Sequence, residues 1–207
     1  AQLYRTGPDI RDSWTSLYLT TFDLDRWAPH AGPGHWSDPD MMIVGDVSIG
    51  TSLHPTRLTP DEQYSHVSMF CLLAAPLLIG APIERLDPFT LGLLTNDELI
   101  AINQDPLGQQ ARMVKRRDGV QIRVKPLADG TYAVGLFNPG GYGETPQSYF
   151  RWNDEKPTDF DFKFSEAGLP EGRWRVRDAW RQQDLGVFAD GLPLRIPHHG
   201  VVVLKVG

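Results

Sequence analysis

Two short stretches place carboxylates where chemistry can be done. In "YRTGPDIRDSW" (Tyr4–Trp14), Asp9 follows a Gly-Pro turn and lies four residues after Arg5. If Leu3–Arg5 end a strand, Asp9 sits just past that strand's carboxyl end, the face that carries active sites in α/β barrels. Arg5 can then hold a substrate hydroxyl or orient the acid. The competing reading is that Asp9 simply caps a helix, since aspartate is a preferred cap. In "GPGHWSDPDMMIVG" (Gly32–Gly45), Asp38 and Asp40 flank Pro39. Proline keeps the residue before it extended, so the two acids should point differently. Asp40 adjoins Met41: a carboxylate there can accept bonds from vicinal sugar hydroxyls while the thioether forms an apolar wall. A turn with solvated acids is the alternative. Trp36 is either a stacking platform for a sugar ring or a packing residue.

Other chemistry is thinly represented. His198 and His199 are adjacent, so they face opposite ways on a strand or sit in a turn. No carboxylate or cysteine stands beside them at ligand spacing, so neither a metal nor another cofactor is expected. His35 and His66 read as hydrogen-bonded structural residues. Neither GxSxG, a P-loop nor GxGxxG occurs. Trp174 and Trp180 would share one face of a strand, as sugar contacts or as core. The lone Cys71 cannot form an internal disulfide; its apolar helical surroundings suggest a buried thiol, and a secreted or periplasmic location stays open.

These residues need elements to hold them. A helix is expected to open at Pro8 or Asp9, with Ile10, Trp14, Leu17 and Tyr18 on one face. Thr59–Glu62 is a capping box, with Pro60 at the first helical position. That helix should bury Val67, Phe70, Cys71 and Ala74 and stop before Pro76. Asp87 caps another helix, with Pro88 at its start. Met41–Val44 and Pro76–Gly80 read as apolar strands, the second buried on both faces. Strands alternating with helices imply a parallel sheet. After "INQDPLG" (Ile102–Gly108) the texture changes to alternating apolar and polar residues around Asp118-Gly119 and Asp129-Gly130, both hairpin signals. The expected division is 1–109, α/β, and 110–207, an antiparallel β-sandwich with a long loop at 139–157.

Apolar residues make up 41% and charged residues 22%, which excludes a disordered chain. A net charge of −6 with no basic run argues against nucleic acid and anionic membrane surfaces. No apolar stretch is long enough to span a bilayer, and the first residues lack a signal-peptide pattern.

The two acidic stretches, together with "LTPDEQYSHVSMFCLLAAPLLIG" and "LLTNDELIAINQDPLG", occur in the order found in a known family. Residues 4–108 resemble the α-galactosidase and α-N-acetylgalactosaminidase family of glycoside hydrolases, family 27. The resemblance implies the C-terminal part of a (β/α)₈ TIM barrel followed by an antiparallel β-sandwich. It implies a retaining hydrolase acting on terminal α-linked galactose in an oligosaccharide or polysaccharide. Asp9 matches the family's acid/base, Arg5 a substrate-contacting arginine, and Asp40 and Met41 residues lining the sugar site. Asp38 matches a nearby acid with a structural part.

Two departures stand out. Ser37 replaces the asparagine of the family's W-N-D-P-D run. The family's nucleophile lies in a Lys-x-Asp segment on an earlier strand, and these 207 residues contain none. A full barrel takes about 250 residues, and residues 1–109 hold material for roughly the last three of its eight strands. The chain is therefore expected to be the C-terminal part of a longer enzyme, inactive alone, whose partner is the missing N-terminal part of the barrel. Alternatives are a non-catalytic carbohydrate-binding or structural remnant, and a relative cleaving another glycoside, such as a β-L-arabinopyranosidase or an α-1,6-glucan hydrolase.

Overall fold

A computed structural model describes residues 2–49, 52–141 and 156–207. The chain forms two compact units, Ala1–Gln110 and Ala111–Gly207. The first is α/β, a piece of a parallel barrel, and the second is all β. Among the described residues, no helix is long and apolar enough to cross a membrane.

In the first unit, β1 (Leu3–Arg5) pairs in parallel with β2 (Trp36–Asp38), bringing Arg5 opposite Asp38. A third extended segment joins through one parallel bridge, Met42 to Ile79. Met42 N donates to Leu78 O at 2.7 Å and Gly80 N to Met42 O at 2.9 Å. The short β3 (Asp46–Val47) and β4 (His54–Pro55) form an antiparallel pair. Helices α1 (Trp14–Thr21), α2 (Pro60–Leu72), α3 (Pro88–Leu94) and α4 (Asp97–Asn103) complete the unit. Trp14, Leu17, Met69, Phe70, Leu72, Leu93 and Leu99 are buried in its core.

Three sequence expectations need correcting. The first helix begins at Trp14, not at Pro8 or Asp9, and its cap is Ser13, whose side chain accepts from Ser16 N. The amide beside Asp9 is already committed, because Ile10 N donates to Asp40 Oδ2 at 2.9 Å. Asp9 therefore caps nothing. Second, Met41–Val44 and Pro76–Gly80 are not continuous strands; each contributes one bridge residue. Asp40 has a φ of +90°, which breaks the extended chain after β2. Third, Pro76–Gly80 is not buried on both faces: Leu78 and Ile79 are 42% and 40% exposed. Apolar composition shows what a segment should bury, but no strand among the described residues covers this one's free side.

The helix signals are realised as local chemistry dictates. Thr59 Oγ1 accepts from Glu62 N while Glu62 Oε2 accepts from Thr59 N, so two otherwise orphaned donors are satisfied. Removing such a cap costs about 1 kcal/mol. Val67, Phe70, Cys71 and Ala74 are all buried, and the helix is capped at Leu73, ahead of Pro76. Asp87 accepts from Phe89 N and Thr90 N at the start of α3.

The second unit holds β5 (Arg112–Arg117), β6 (Val120–Pro126), β7 (Tyr132–Phe137), β8 (Thr158–Lys163), β9 (Trp174–Asp178), β10 (Gln183–Phe188), β11 (Gly191–Ile196) and β12 (Val201–Val206). Six form one sheet in the order β10-β9-β12-β7-β6-β5, and β11 pairs with β8; all neighbours are antiparallel. Val120, Ile122, Val134, Leu136, Phe160, Phe162, Val176, Leu192 and Leu204 lie in the core between them. Asp118 and Gly119 have φ of +50° and +78°, as a two-residue turn between β5 and β6 requires. Glu166 anchors one end of the core: Arg117 Nε donates to its Oε1 at 2.7 Å, and Lys115 Nζ lies 3.2 Å away.

Trp180 falls beyond the end of β9, so it does not share a strand face with Trp174, which packs edge-on against Tyr132. His198 and His199 sit in a turn with rings stacked 3.8 Å apart, rather than facing opposite ways. The long loop expected at 139–157 lies, but for its ends, outside the described residues.

Candidate active site

The acidic residues gather beyond the carboxyl ends of β1 and β2. Parallel pairing aligns the two strand ends, so the residues that follow each strand emerge side by side. Arg5 ends β1, and its guanidinium is shared. Nη2 lies 3.1 Å from Asp9 Oδ1 and Nη1 lies 3.1 Å from Asp40 Oδ1. One planar fork thus holds two carboxylates that are 31 residues apart in sequence.

The strand ends themselves are locked. Thr6 N and Thr6 Oγ1 both donate to Asp38 O, at 2.9 and 3.0 Å. Asp38 is buried, and its Oδ1 accepts from Asp40 N at 2.8 Å. That bond closes a tight turn over Pro39 and helps hold Asp40 at its positive φ. A non-glycine residue at positive φ costs free energy and persists only where its surroundings hold it there. Here the Asp38 carboxylate, the Ile10 amide and Arg5 do so together. Asp38 therefore shapes the turn, and Asp40 is turned toward Arg5 and the Ile10 amide.

Exposure separates the two acids held by Arg5. The Asp40 side chain is 11% exposed and the Asp9 side chain 94%. Asp40 suits fixed hydrogen-bond acceptance; Asp9 is free to meet an incoming group. Met41, next to Asp40, is 45% exposed and presents apolar surface. Ser37, on the opposite face of β2, lies 3.1 Å by its Oγ from the Tyr4 hydroxyl.

Trp36 is not part of this constellation. It pairs with Leu3 at the opposite, amino ends of the strands. There it lines a cavity of about 630 Å³ with Leu3, Pro33, Pro76 and Leu77. Its ring also approaches Gly108, which has φ +59° and where a Cβ would stand 2.8 Å from the indole. This gives the glycine of "INQDPLG" a packing reason.

Two further residues support the site: His66, a hydrogen-bonded structural residue as expected, and Asp12, which sequence reasoning passed over. His66 of α2 is fully buried, and its Nε2 accepts from Ile43 N at 3.0 Å. The accepting nitrogen fixes a neutral ring, with its hydrogen on Nδ1. Burial lowers its pKa to about 3. Because the unfolded histidine titrates near 6.5, only the unfolded chain takes up a proton as pH falls below that value. Stability is thus expected to decline from pH 6.5 toward 3 and to lose this dependence in His66→Gln. Histidine ring NMR should show no titration of His66 between pH 8 and 4. A ring that titrates near 6.5 would refute the assignment. The second support is Asp12, bonded to Arg57. It bore no signal in spacing, since its partner is 45 residues away.

Comparisons with known proteins agree in both halves. The "Alpha galactosidase A" family profile matches residues 1–105, and that of the "Alpha galactosidase C-terminal beta sandwich domain" matches 117–206. The α-galactosidase of Cyamopsis tetragonoloba is 33% identical over 197 residues, covering 95% of this chain and 42% of that protein. α-Galactosidase 2 of Arabidopsis thaliana is 42% identical over 137 residues, covering 66% and 32%. The crystal structure of a family 27 β-L-arabinopyranosidase from Geobacillus stearothermophilus superposes with a TM-score of 0.85 at 28% identity, covering 100% of this chain and 45% of that one. The chain thus spans less than half the length of each of these proteins. With one profile covering about half of it and the second most of the remainder, the chain belongs to the α-galactosidase and α-N-acetylgalactosaminidase family, glycoside hydrolase family 27.

Proposed function

We propose that the protein carrying this chain is a retaining glycoside hydrolase that releases terminal α-linked galactose, with Asp9 as its acid/base. The observation that carries this reading is Arg5 holding Asp9 and Asp40 together beyond two parallel strand ends. Asp40, Arg5 and Met41 seat the sugar, the first two by hydrogen bonds to its hydroxyls and the third by apolar contact.

In the first step a carboxylate nucleophile attacks the anomeric carbon and the bond to the leaving oxygen breaks. Asp9 gives its proton to that oxygen. In the second step Asp9 takes a proton from water as the water displaces the enzyme carboxylate and frees the sugar. Retention needs the two carboxyl groups about 5–5.5 Å apart. The nucleophile is assigned to a Lys-x-Asp segment outside these 207 residues, in the N-terminal part of the barrel. That part is the partner proposed for the exposed apolar residues Leu3, Leu78 and Ile79. A general acid must also be kept from ionising by desolvation. Asp9 is 94% exposed here, so the cover is ascribed to the substrate and the remaining barrel. A sugar hydroxyl drawing Arg5 toward Asp40 would remove the cation from Asp9 at the same moment.

The test is product stereochemistry. The complete protein, given p-nitrophenyl α-D-galactopyranoside, should release α-galactose first, seen by proton NMR before mutarotation. Release of the β anomer first would overturn the mechanism. The similarity to a β-L-arabinopyranosidase supports a second reading, because that sugar is galactopyranose without its C5 hydroxymethyl. A kcat/KM higher on the arabinopyranoside would favour it. Hydrolysis of neither sugar would favour a non-catalytic carbohydrate-binding or structural remnant.

A further inference from the structure

Asp12 and Arg57 form a two-pronged ion pair, and the proposed reaction does not use it. The Asp12 side chain is fully buried. Arg57 Nη2 donates to Oδ1 at 2.7 Å, Arg57 Nε to Oδ2 at 2.9 Å, and Arg57 N to Oδ2 at 3.1 Å. Burial pushes the carboxyl's pKa up, but the Arg57 bonds outweigh that and hold it below the usual value. His54 stands nearby, its Nδ1 4.0 Å from Oδ2 and 2.8 Å from Pro55 O.

What this pair holds is the turn that bears Asp9. On the strand side the turn is pinned by Thr6 to Asp38 O, and in its middle by Ile10 N to Asp40 Oδ2. On the helix side Arg11 N donates to Ser16 Oγ, a bond within the same segment. Asp12 ties the helix side to another part of the unit. Its anchor is stiff: Thr56 N donates to Gly45 O at 2.7 Å, and Thr59 begins the capping box of α2. Gly45 in turn belongs to the segment that leads away from Asp40 and Met41. The pair therefore links the turn carrying Asp9 to the segment following Asp40, on the side where Arg5 does not reach.

We infer that Asp12 and Arg57 are positioning residues, a clamp that fixes where Asp9 stands relative to the leaving oxygen. Neither touches the sugar. The inference rests on Asp9 being the acid/base. In the first step a misplaced acid slows departure of a poor leaving group and is nearly irrelevant to a good one, whereas the second step, in which Asp9 is the base, is common to both. A loss of general stability does not distinguish the two.

The test compares melibiose with 2,4-dinitrophenyl α-D-galactopyranoside in the complete protein, using Asp12→Asn, Arg57→Gln, Arg57→Lys and the double variant Asp12→Asn/Arg57→Gln. Displacing a group by about 1 Å can cost about 100-fold. Asp12→Asn is accordingly expected to lower kcat/KM on melibiose by about 10- to 100-fold, and kcat/KM on the activated glycoside, which reports only departure of the leaving group, by less than about 3-fold. Arg57→Lys keeps the cation on a largely exposed side chain and should fall between wild type and Arg57→Gln. The double variant should lose no more than the worse single one. Equal losses on both substrates, or a lower melting temperature with an unchanged ratio between them, would overturn the clamp. Asp9→Asn is the reference. If it shows the leaving-group effect and Asp12→Asn does not, the clamp alone fails. If Asp9→Asn shows none, the acid assignment fails and the clamp with it.

Discussion

Asp9→Asn in the complete protein should lower kcat on an unactivated galactoside such as melibiose by about 100- to 10,000-fold, the contribution of a positioned general acid or base. The effect is chemical rather than structural. Asp9 is 94% exposed and its side chain is held by Arg5. A surface change of that kind leaves stability within about 0.5 kcal/mol. Dinitrophenyl glycosides need no proton to depart, so their first step should survive. Their second step still lacks its base. The covalent intermediate should therefore accumulate, visible as a burst of dinitrophenolate followed by slow turnover. Losses of the same size on both substrates, without a burst, would show that Asp9 is not the acid.

The next largest effect is expected at Asp40. Asp40→Ala removes the acceptor for Ile10 N and one of the two carboxylates on Arg5. It also leaves alanine at a φ of +90°, where aspartate is better tolerated. Leaving the buried Ile10 amide unpaired costs about 1–3 kcal/mol, so a lower melting temperature should accompany a higher KM. Asp40→Asn separates the two consequences. It keeps the shape, the tolerance of positive φ and an oxygen for Ile10, and loses the charge and the acceptor that faces Arg5. Hydrogen bonds to charged groups contribute about 1.5–3 kcal/mol, so Asp40→Asn should raise KM about 10- to 100-fold with little change in melting temperature. Unchanged KM and kcat in both variants would remove Asp40 from the sugar site.

The order of the motifs pointed to the C-terminal part of a barrel, and the alternation after Gly108 to a β domain behind it. Caps and turns were equally legible, because their partners lie within a few residues. Thr59 with Glu62, Asp87 with Thr90 and Asp118 with Gly119 are complete in the local sequence. The strand at Pro76–Gly80 was misjudged for the complementary reason. Apolar composition states a need for burial, and Leu78 and Ile79 remain exposed where nothing described covers them. The start of the first helix was misplaced because the Ile10 amide goes to Asp40, 30 residues on, which no helical periodicity can register. In the same way only the folded chain decided that Arg5 serves two acids, that Trp36 lies at the far end of its strand, and that Asp12 meets Arg57. A residue's type sets which bonds it can make. Which of them it does make depends on the segment that folds over it, and for these residues that segment is distant in sequence.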